Sequence, residues 1–163
     1  MSRSRVNASV GMAIFLGATA MLFASLMLAY AILRAQAPAW PPAGAAPLPR
    51  GVVVLLGANT LVLAAASVAL RRRPGVALAL GAGFAALQVV AWRAAASGGV
   101  GPASSTYGSV FFALSILHAV HVGGGIAALA AVIARGGRPR LVTAYWDFLL
   151  VVWVIVYLAV CVR

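Results

Sequence analysis

The chain has 163 residues, of which 64% are hydrophobic and only 8% are charged, and its mean hydropathy is +1.08. A soluble domain carries roughly 25% charged residues, so this composition excludes an ordinary soluble fold and indicates an integral membrane protein. The net charge of +11 comes from twelve arginines and a single aspartate. Because the arginines stand at the ends of apolar runs, they are typical of membrane anchors, and we expect no nucleic-acid partner.

Apolar runs between the arginines are long enough to cross a bilayer, which takes a helix of about 20 residues. The sequence therefore predicts an all-α fold, an integral membrane bundle of five transmembrane helices forming one membrane domain over residues 1–163. The predicted helices cover about residues 8–33, 51–70, 75–95, 107–134 and 141–162. The first run follows a basic start, as a signal peptide does, but it exceeds the usual h-region and we interpret it as a mature helix.

The distribution of arginines predicts the orientation, because cytoplasmic loops are enriched in basic residues. The N-terminal side of the membrane would carry Arg3, Arg5, Arg71, Arg72, Arg73, Arg135, Arg138 and Arg140. The opposite side would carry Arg34, Arg50, Arg93 and Arg163. We therefore expect the N-terminus in the cytoplasm and the C-terminus in the periplasm.

Small residues recur every four positions in two of the predicted helices, which would let neighbouring backbones approach closely. These residues are Ala77, Gly81 and Ala85 in the third helix, and Gly123, Ala127 and Ala131 in the fourth. We predict tight packing on both faces.

Polar side chains within the predicted spans are costly in hydrocarbon and usually face protein or a cavity. They are Thr19, Asn59, Gln88, His118, His121 and Asp147. The two histidines share a helix face, and a haem or copper site there would need further ligands, whereas the chain has no glutamate and only one cysteine. We interpret them as neutral histidines bonded to neighbouring helices or to a partner subunit.

Asp147 is the only acidic residue of the chain. Counted along antiparallel helices, it differs in depth from His121 by about 10 Å, so a direct bond between them is not expected. Pairing with an arginine of the inner loops, or a protonated carboxyl, fits its position better, and a role in proton relay stays open. A catalytic serine or cysteine needs a base and an orienting group within reach. The sequence pattern places no such groups beside any serine or beside the single Cys161, so we predict no catalytic residue.

Several blocks of the sequence carry a family resemblance through their order and spacing. They are GMAIFLGATAMLFASLMLAY at 11–30, WPP at 40–42, NTL at 59–61, Gln88, TYGSVFF and LHAVHVGGG within 106–125, and YWDFLLVVW at 145–153. Together they resemble subunit III of haem–copper terminal oxidases in its short five-helix form.

The resemblance implies a non-catalytic subunit of a cytochrome c or quinol oxidase in the bacterial inner membrane. Such a subunit packs on subunit I, is accompanied by subunit II and other small subunits, binds phospholipid, and supports proton uptake and stability during turnover. Haem and copper would be held by partner subunits, with no cofactor or metal in this chain. Candidate lipid or subunit-interface residues are Asn59, Gln88, His118, His121 and Asp147.

Three positions depart from the family pattern. Thr19 stands where the first motif usually has an acid, Asp147 where the closing motif has histidine, and Leu150 where it has aspartate. The groups that the family has at these three positions are therefore absent from this chain. Two alternatives also remain open: a subunit-III-like accessory protein of a nitric oxide reductase, and a free-standing assembly factor or small transporter.

Overall fold

The computed structural model describes residues 3–137 and 140–161, and these residues form five helices joined by short connections. The helices are α1 (Arg3–Gln36), α2 (Arg50–Leu70), α3 (Pro74–Ser97), α4 (Thr106–Ala134) and α5 (Arg140–Cys161). Each is long and apolar enough to cross a membrane. The all-α prediction with five spans is confirmed.

The predicted helix bounds agree closely for α2, α3 and α4, where they differ by no more than two residues at either end. The largest difference is in α1, which begins at Arg3 and continues to Gln36, because the helix extends beyond its apolar run into polar residues. The predicted end of the last helix, residue 162, lies outside the described residues, as do Arg138 and Arg163.

Local sequence signals explain where the helices begin and end. Ser105 caps α4, since its hydroxyl accepts a hydrogen bond from the backbone N–H of Gly108 at 3.1 Å. Gly136 follows α4 with a φ of 63°, a conformation that glycine adopts without strain. The N–H groups of Gly136 and Gly137 then bond the carbonyls of Ile133 and Val132, which satisfies the last turn of the helix.

Helices α2 to α5 form a closed four-helix arrangement, in which each helix contacts the next and α5 returns to α2. We call these four helices the core bundle. Short connections such as residues 71–73 make consecutive helices antiparallel neighbours. Helix α1 lies outside the core bundle, against α5 and α4.

Gly81 of α3 provides the closest approach in the core bundle. A side chain added at Gly81 would overlap the ring of Trp146, which is fully buried between α3 and α4. Trp146 also donates from Nε1 to the carbonyl of Gly125 on α4 at 3.3 Å. Ala77 and Gly81 are buried and Ala85 is half-buried, so the predicted packing face of α3 is confirmed at its first two residues and only in part at the third.

The packing face predicted for α4 is wrong within this chain. Gly123, Ala127 and Ala131 are exposed, and no described atom lies within 4 Å of a Cβ added at Gly123. The buried face instead contains Gly125 and Leu129. Residues two positions apart point to nearly opposite sides of a helix, so the spacing of small residues did not determine which side faces inward.

Candidate interaction sites: a buried polar layer and an ion pair

Three polar side chains lie in the interior of the core bundle, one from each of three helices. Asn59 of α2 and His118 of α4 are 0% exposed, and Gln88 of α3 is 1% exposed. We call them the buried polar layer. Asn59 donates from Nδ2 to the carbonyl of Phe84 at 3.2 Å and to Oε1 of Gln88 at 3.3 Å, so it joins α2 to α3 at two points.

His118 is held by aromatic rings. Its imidazole stacks on the Trp153 ring with a centroid distance of 4.9 Å and an interplanar angle of 27°. It meets Phe84 at 5.9 Å and Phe23 of α1 at 6.3 Å, in both cases edge to face. Neither ring nitrogen has a hydrogen-bond partner among the described residues. The predicted bond from His118 to a neighbouring helix is therefore wrong within this chain.

His121 lies one turn further along α4 and is half-buried. Its Nδ1 is 2.8 Å from the carbonyl of Leu117, in the same helix, and its ring meets Phe23 at 5.4 Å. Its own carbonyl accepts a hydrogen bond from the Tyr145 hydroxyl at 2.9 Å, which joins α4 to α5. In residues 3–137 and 140–161, no three histidine, cysteine or acidic side chains come together in a way that could hold a metal.

Asp147 of α5 forms an ion pair with Arg71, which caps the end of α2. The distance from Arg71 Nη2 to Asp147 Oδ2 is 2.7 Å, and the two side chains are 53% and 41% exposed, respectively. The hydroxyl of Ser67, itself buried, donates to the other carboxylate oxygen. The predicted pairing with an arginine of a loop is confirmed, here one in the 71–73 connection, and Asp147 does not contact His121 in the described structure.

The structure thus places Asn59, Gln88 and His118 inside the core bundle, with Asn59 bonded to Gln88, and each of the three is at most 1% exposed. A role for them at a lipid or subunit interface stays a prediction. His121 and Asp147 are partly exposed, and for them an interface role stays a prediction. Thr19 is buried and, among the described residues, bonds the Phe15 carbonyl of its own helix, at 2.9 Å.

Two further hydrogen bonds between helices of the core bundle were not predicted from the sequence. Trp153 donates from Nε1 to the Thr60 hydroxyl at 3.0 Å, and Trp92 donates to the Ser115 hydroxyl at 2.9 Å. An indole N–H in hydrocarbon needs an acceptor, so tryptophans within the apolar runs are the signal that could have pointed to these bonds. Ser67 was also missed, although it lies one helical turn before Arg71.

Fold and polar contacts together define the class of this chain: a multi-pass membrane protein whose buried polar groups mainly connect its own helices. A scan against protein-family models gives no match. Among curated proteins, the chain is 31% identical to a probable cytochrome c oxidase subunit 3 of Mycobacterium tuberculosis, over 91% of this chain and 84% of the relative. It is 26% identical to cytochrome c oxidase subunit 3 of Synechocystis, over 92% of this chain and 73% of the relative.

A probable quinol oxidase subunit 3 of Staphylococcus aureus matches more locally, with 38% identity over 52% of this chain and 47% of the relative. These similarities extend over the helices described above and are not confined to one motif. The chain belongs to the cytochrome c oxidase subunit 3 family. The family resemblance seen in the sequence is therefore confirmed.

Proposed function

We propose that the chain is the non-catalytic subunit III of a haem–copper terminal oxidase, which packs on subunit I in the bacterial inner membrane. The observation that carries this proposal is the match to subunit 3 of cytochrome c oxidase over about nine-tenths of the chain. The contacts of the polar residues agree with a supporting role. The single acid is engaged by Arg71 and Ser67, and His118 is enclosed by aromatic rings.

Exposed apolar surface supports the expected contacts with lipid and with a larger subunit. A groove opens between the ends of α2, α4 and α5, beside the 37–49 connection, and it is lined by Leu48, Val53, Val54 and Tyr107 together with Arg50. Apolar walls with a guanidinium group suit an acyl chain and the phosphate of its headgroup. This groove is where we place a phospholipid.

The orientation is part of the same proposal, with the 71–73 connection in the cytoplasm and the 37–49 connection in the periplasm. Arg71 and Asp147 would then lie at the cytoplasmic surface, where protons are taken up. Cys161 is a poor reporter of topology because it is buried. Single cysteines introduced into a Cys161→Ala background avoid this difficulty.

Ala43→Cys, in the exposed part of the 37–49 connection, should react with a membrane-impermeant thiol reagent in spheroplasts. Gly75→Cys, in the exposed first turn of α3 where an added Cβ meets no atom within 4 Å, should react only in inside-out vesicles. The two variants control for each other. The reverse labelling pattern would invert the proposed orientation.

Co-purification tests the function directly. A tagged chain, extracted from its host in mild detergent, should bring down a multi-helix protein with haem and copper spectra and oxygen-reducing activity. When the chain is then stripped from the complex, the remaining subunits should keep their haem and copper and their initial rate. Recovery of the chain without haem in several detergents would contradict the proposal, and reduction of nitric oxide in place of oxygen would favour the reductase alternative.

A further inference from the structure

The buried polar layer contains four polar atoms that have no hydrogen-bond partner among the described residues. They are Oδ1 of Asn59, Nε2 of Gln88, and both ring nitrogens of His118. Their side chains are at most 1% exposed, so neither bulk water nor lipid headgroups reach them. A buried polar group without a partner costs about 1–3 kcal/mol, which makes four of them in one place a feature that needs an explanation.

The orientation of the two amides follows from their surroundings. The carbonyl of Phe84 can only accept, so the group of Asn59 that faces it must be the NH2 group. The same NH2 group points at Gln88, so the facing atom of Gln88 must be its oxygen. Exchanging the oxygen and nitrogen positions of Asn59 would place two acceptors opposite each other, and the same exchange in Gln88 would place two donors opposite each other. The contacts therefore fix the assignment of both amides, and Asn59 Oδ1 and Gln88 Nε2 are the atoms left without a partner.

Helix register brings His118 to the level of this amide pair. Trp92 of α3 bonds Ser115 of α4, and Phe84 of α3 meets the ring of His118. Gln88 lies midway between Phe84 and Trp92, on the same face of α3, because residues four apart lie above one another on a helix. It therefore lies opposite the stretch of α4 that carries His118.

The leftover groups are chemically complementary. Gln88 Nε2 offers a donor and Asn59 Oδ1 an acceptor, while a neutral imidazole offers one of each. None of these groups forms a hydrogen bond with another, so a molecule that both donates and accepts would satisfy them. Buried waters in proteins typically make about three hydrogen bonds to such otherwise unsatisfied groups.

We propose that Asn59, Gln88 and His118 form an internal water-binding site in the centre of the core bundle. A water molecule accepts from Gln88 Nε2 and donates to Asn59 Oδ1, which closes the half-formed amide pair, and water also bonds the imidazole of His118. The rings of Phe84, Trp153 and Phe23 surround the imidazole. This inference rests on the fold alone and does not depend on the proposed oxidase function.

A high-resolution density map of the purified protein, in its complex where it has one, tests the site directly. The map should show a water peak about 2.7–3.2 Å from both Asn59 Oδ1 and Gln88 Nε2. Density showing these two atoms bonded directly to each other, or to His118, would overturn the proposal. So would continuous side-chain density with no peak between them.

Infrared difference spectra between H2¹⁶O and H2¹⁸O give an independent readout, because only water bands shift with the oxygen isotope. Gln88→Met, which keeps the length of the side chain but removes the donor, should lose a weakly hydrogen-bonded internal-water band. Thr19→Val is the matched control, because Thr19 is also a buried polar side chain, 5% exposed, but bonds its own helix. A band unchanged in Gln88→Met would contradict the proposal, and if that variant does not assemble, the wild-type map alone decides.

Discussion

Helix α1 and the core bundle are both built from strongly apolar helices, yet they are attached to the molecule in different ways. In the most apolar 18-residue stretch of each helix, 44% is buried in α5 but only 11% in α1. The two stretches have the same mean hydropathy of 2.1. Because lipid is as apolar as the side chains, hydropathy predicts that a helix enters the membrane but not how closely it packs there.

What separates the two regions is the chemistry of their contacts. In the core bundle, the Trp146 ring packs directly against Gly81, and Asn59 bonds Gln88. Two further tryptophans donate hydrogen bonds to side chains of neighbouring helices. Helix α1 contributes ring contacts from Phe15 and Phe23 and a hydrogen bond from Tyr30 to the Ala159 carbonyl at 2.7 Å. Small residues and buried donors therefore hold the core bundle together, and α1 keeps most of its surface free for lipid or for another subunit.

The largest effect is expected from Gly81→Ala, which places a methyl group against the ring of Trp146. Overpacking of this kind costs about 1–3 kcal/mol, which should appear as a lower unfolding midpoint of the solubilised protein. Gly83→Ala is the control, because an added Cβ there meets no atom within 4 Å. Equal losses in the two variants would mean that the Trp146 contact is not what makes Gly81 sensitive.

A smaller and more local effect is expected from Tyr30→Phe, which removes the shorter of two hydrogen bonds from α1 to the Ala159 carbonyl of α5 and leaves that of Arg34 at 3.3 Å. Intramembrane hydrogen bonds contribute about 0.6 kcal/mol on average, which corresponds to roughly threefold faster hydrogen exchange if the opening of α1 is selective. Faster exchange should appear in the C-terminal half of α1, with α2–α5 unchanged. The control is Tyr157→Phe, which removes a hydrogen bond to Val53 inside the core bundle and should leave hydrogen exchange in α1 unchanged. If both variants instead exchange faster in all five helices, the distinction between the two regions is wrong.

At the ion pair the expected effect on stability is also small, and it depends on salt. Both side chains are well exposed, so the coupling between Arg71→Gln and Asp147→Asn in a double-mutant cycle should be about 0.2–1 kcal/mol and should fall with added salt. Arg72→Gln is the neighbouring control and should show no coupling to Asp147→Asn. If Asp147 assists proton uptake, Asp147→Asn should also slow turnover of the complex, whereas an unchanged rate would leave only the structural role.

The sequence predicts best what depends on local composition and on depth. Arginine-flanked apolar runs located all five helices, and counting from Arg140 placed Asp147 near a loop arginine and away from His121. Rotation about the helix axis was harder to predict. The exposed Gly123 and the buried Gly125 share almost the same depth, and periodicity among small residues selected the wrong one.

The buried polar layer shows the same limit. The sequence identified Asn59, Gln88 and His118 as polar residues within apolar runs. Whether they lie in the interior depends on which faces of α2, α3 and α4 turn inward. That choice is made by contacts between distant segments, such as Trp146 against Gly81 and Trp153 against His118. No local window of the sequence contains both partners of such a contact.

The length of α1 has a consequence for bilayer thickness. Its 34 residues span about 51 Å, whereas the 21 residues of α2 span about 32 Å, close to the roughly 30 Å of a hydrocarbon core. Such a mismatch is accommodated by tilting or by projection beyond the headgroups. Because α1 lies outside the core bundle, a change in its tilt would alter its own contacts, such as those of Phe23 with His118 and of Tyr30 with Ala159, and not the contacts among α2–α5. The protein thus combines a span that matches the membrane with one that adapts to it.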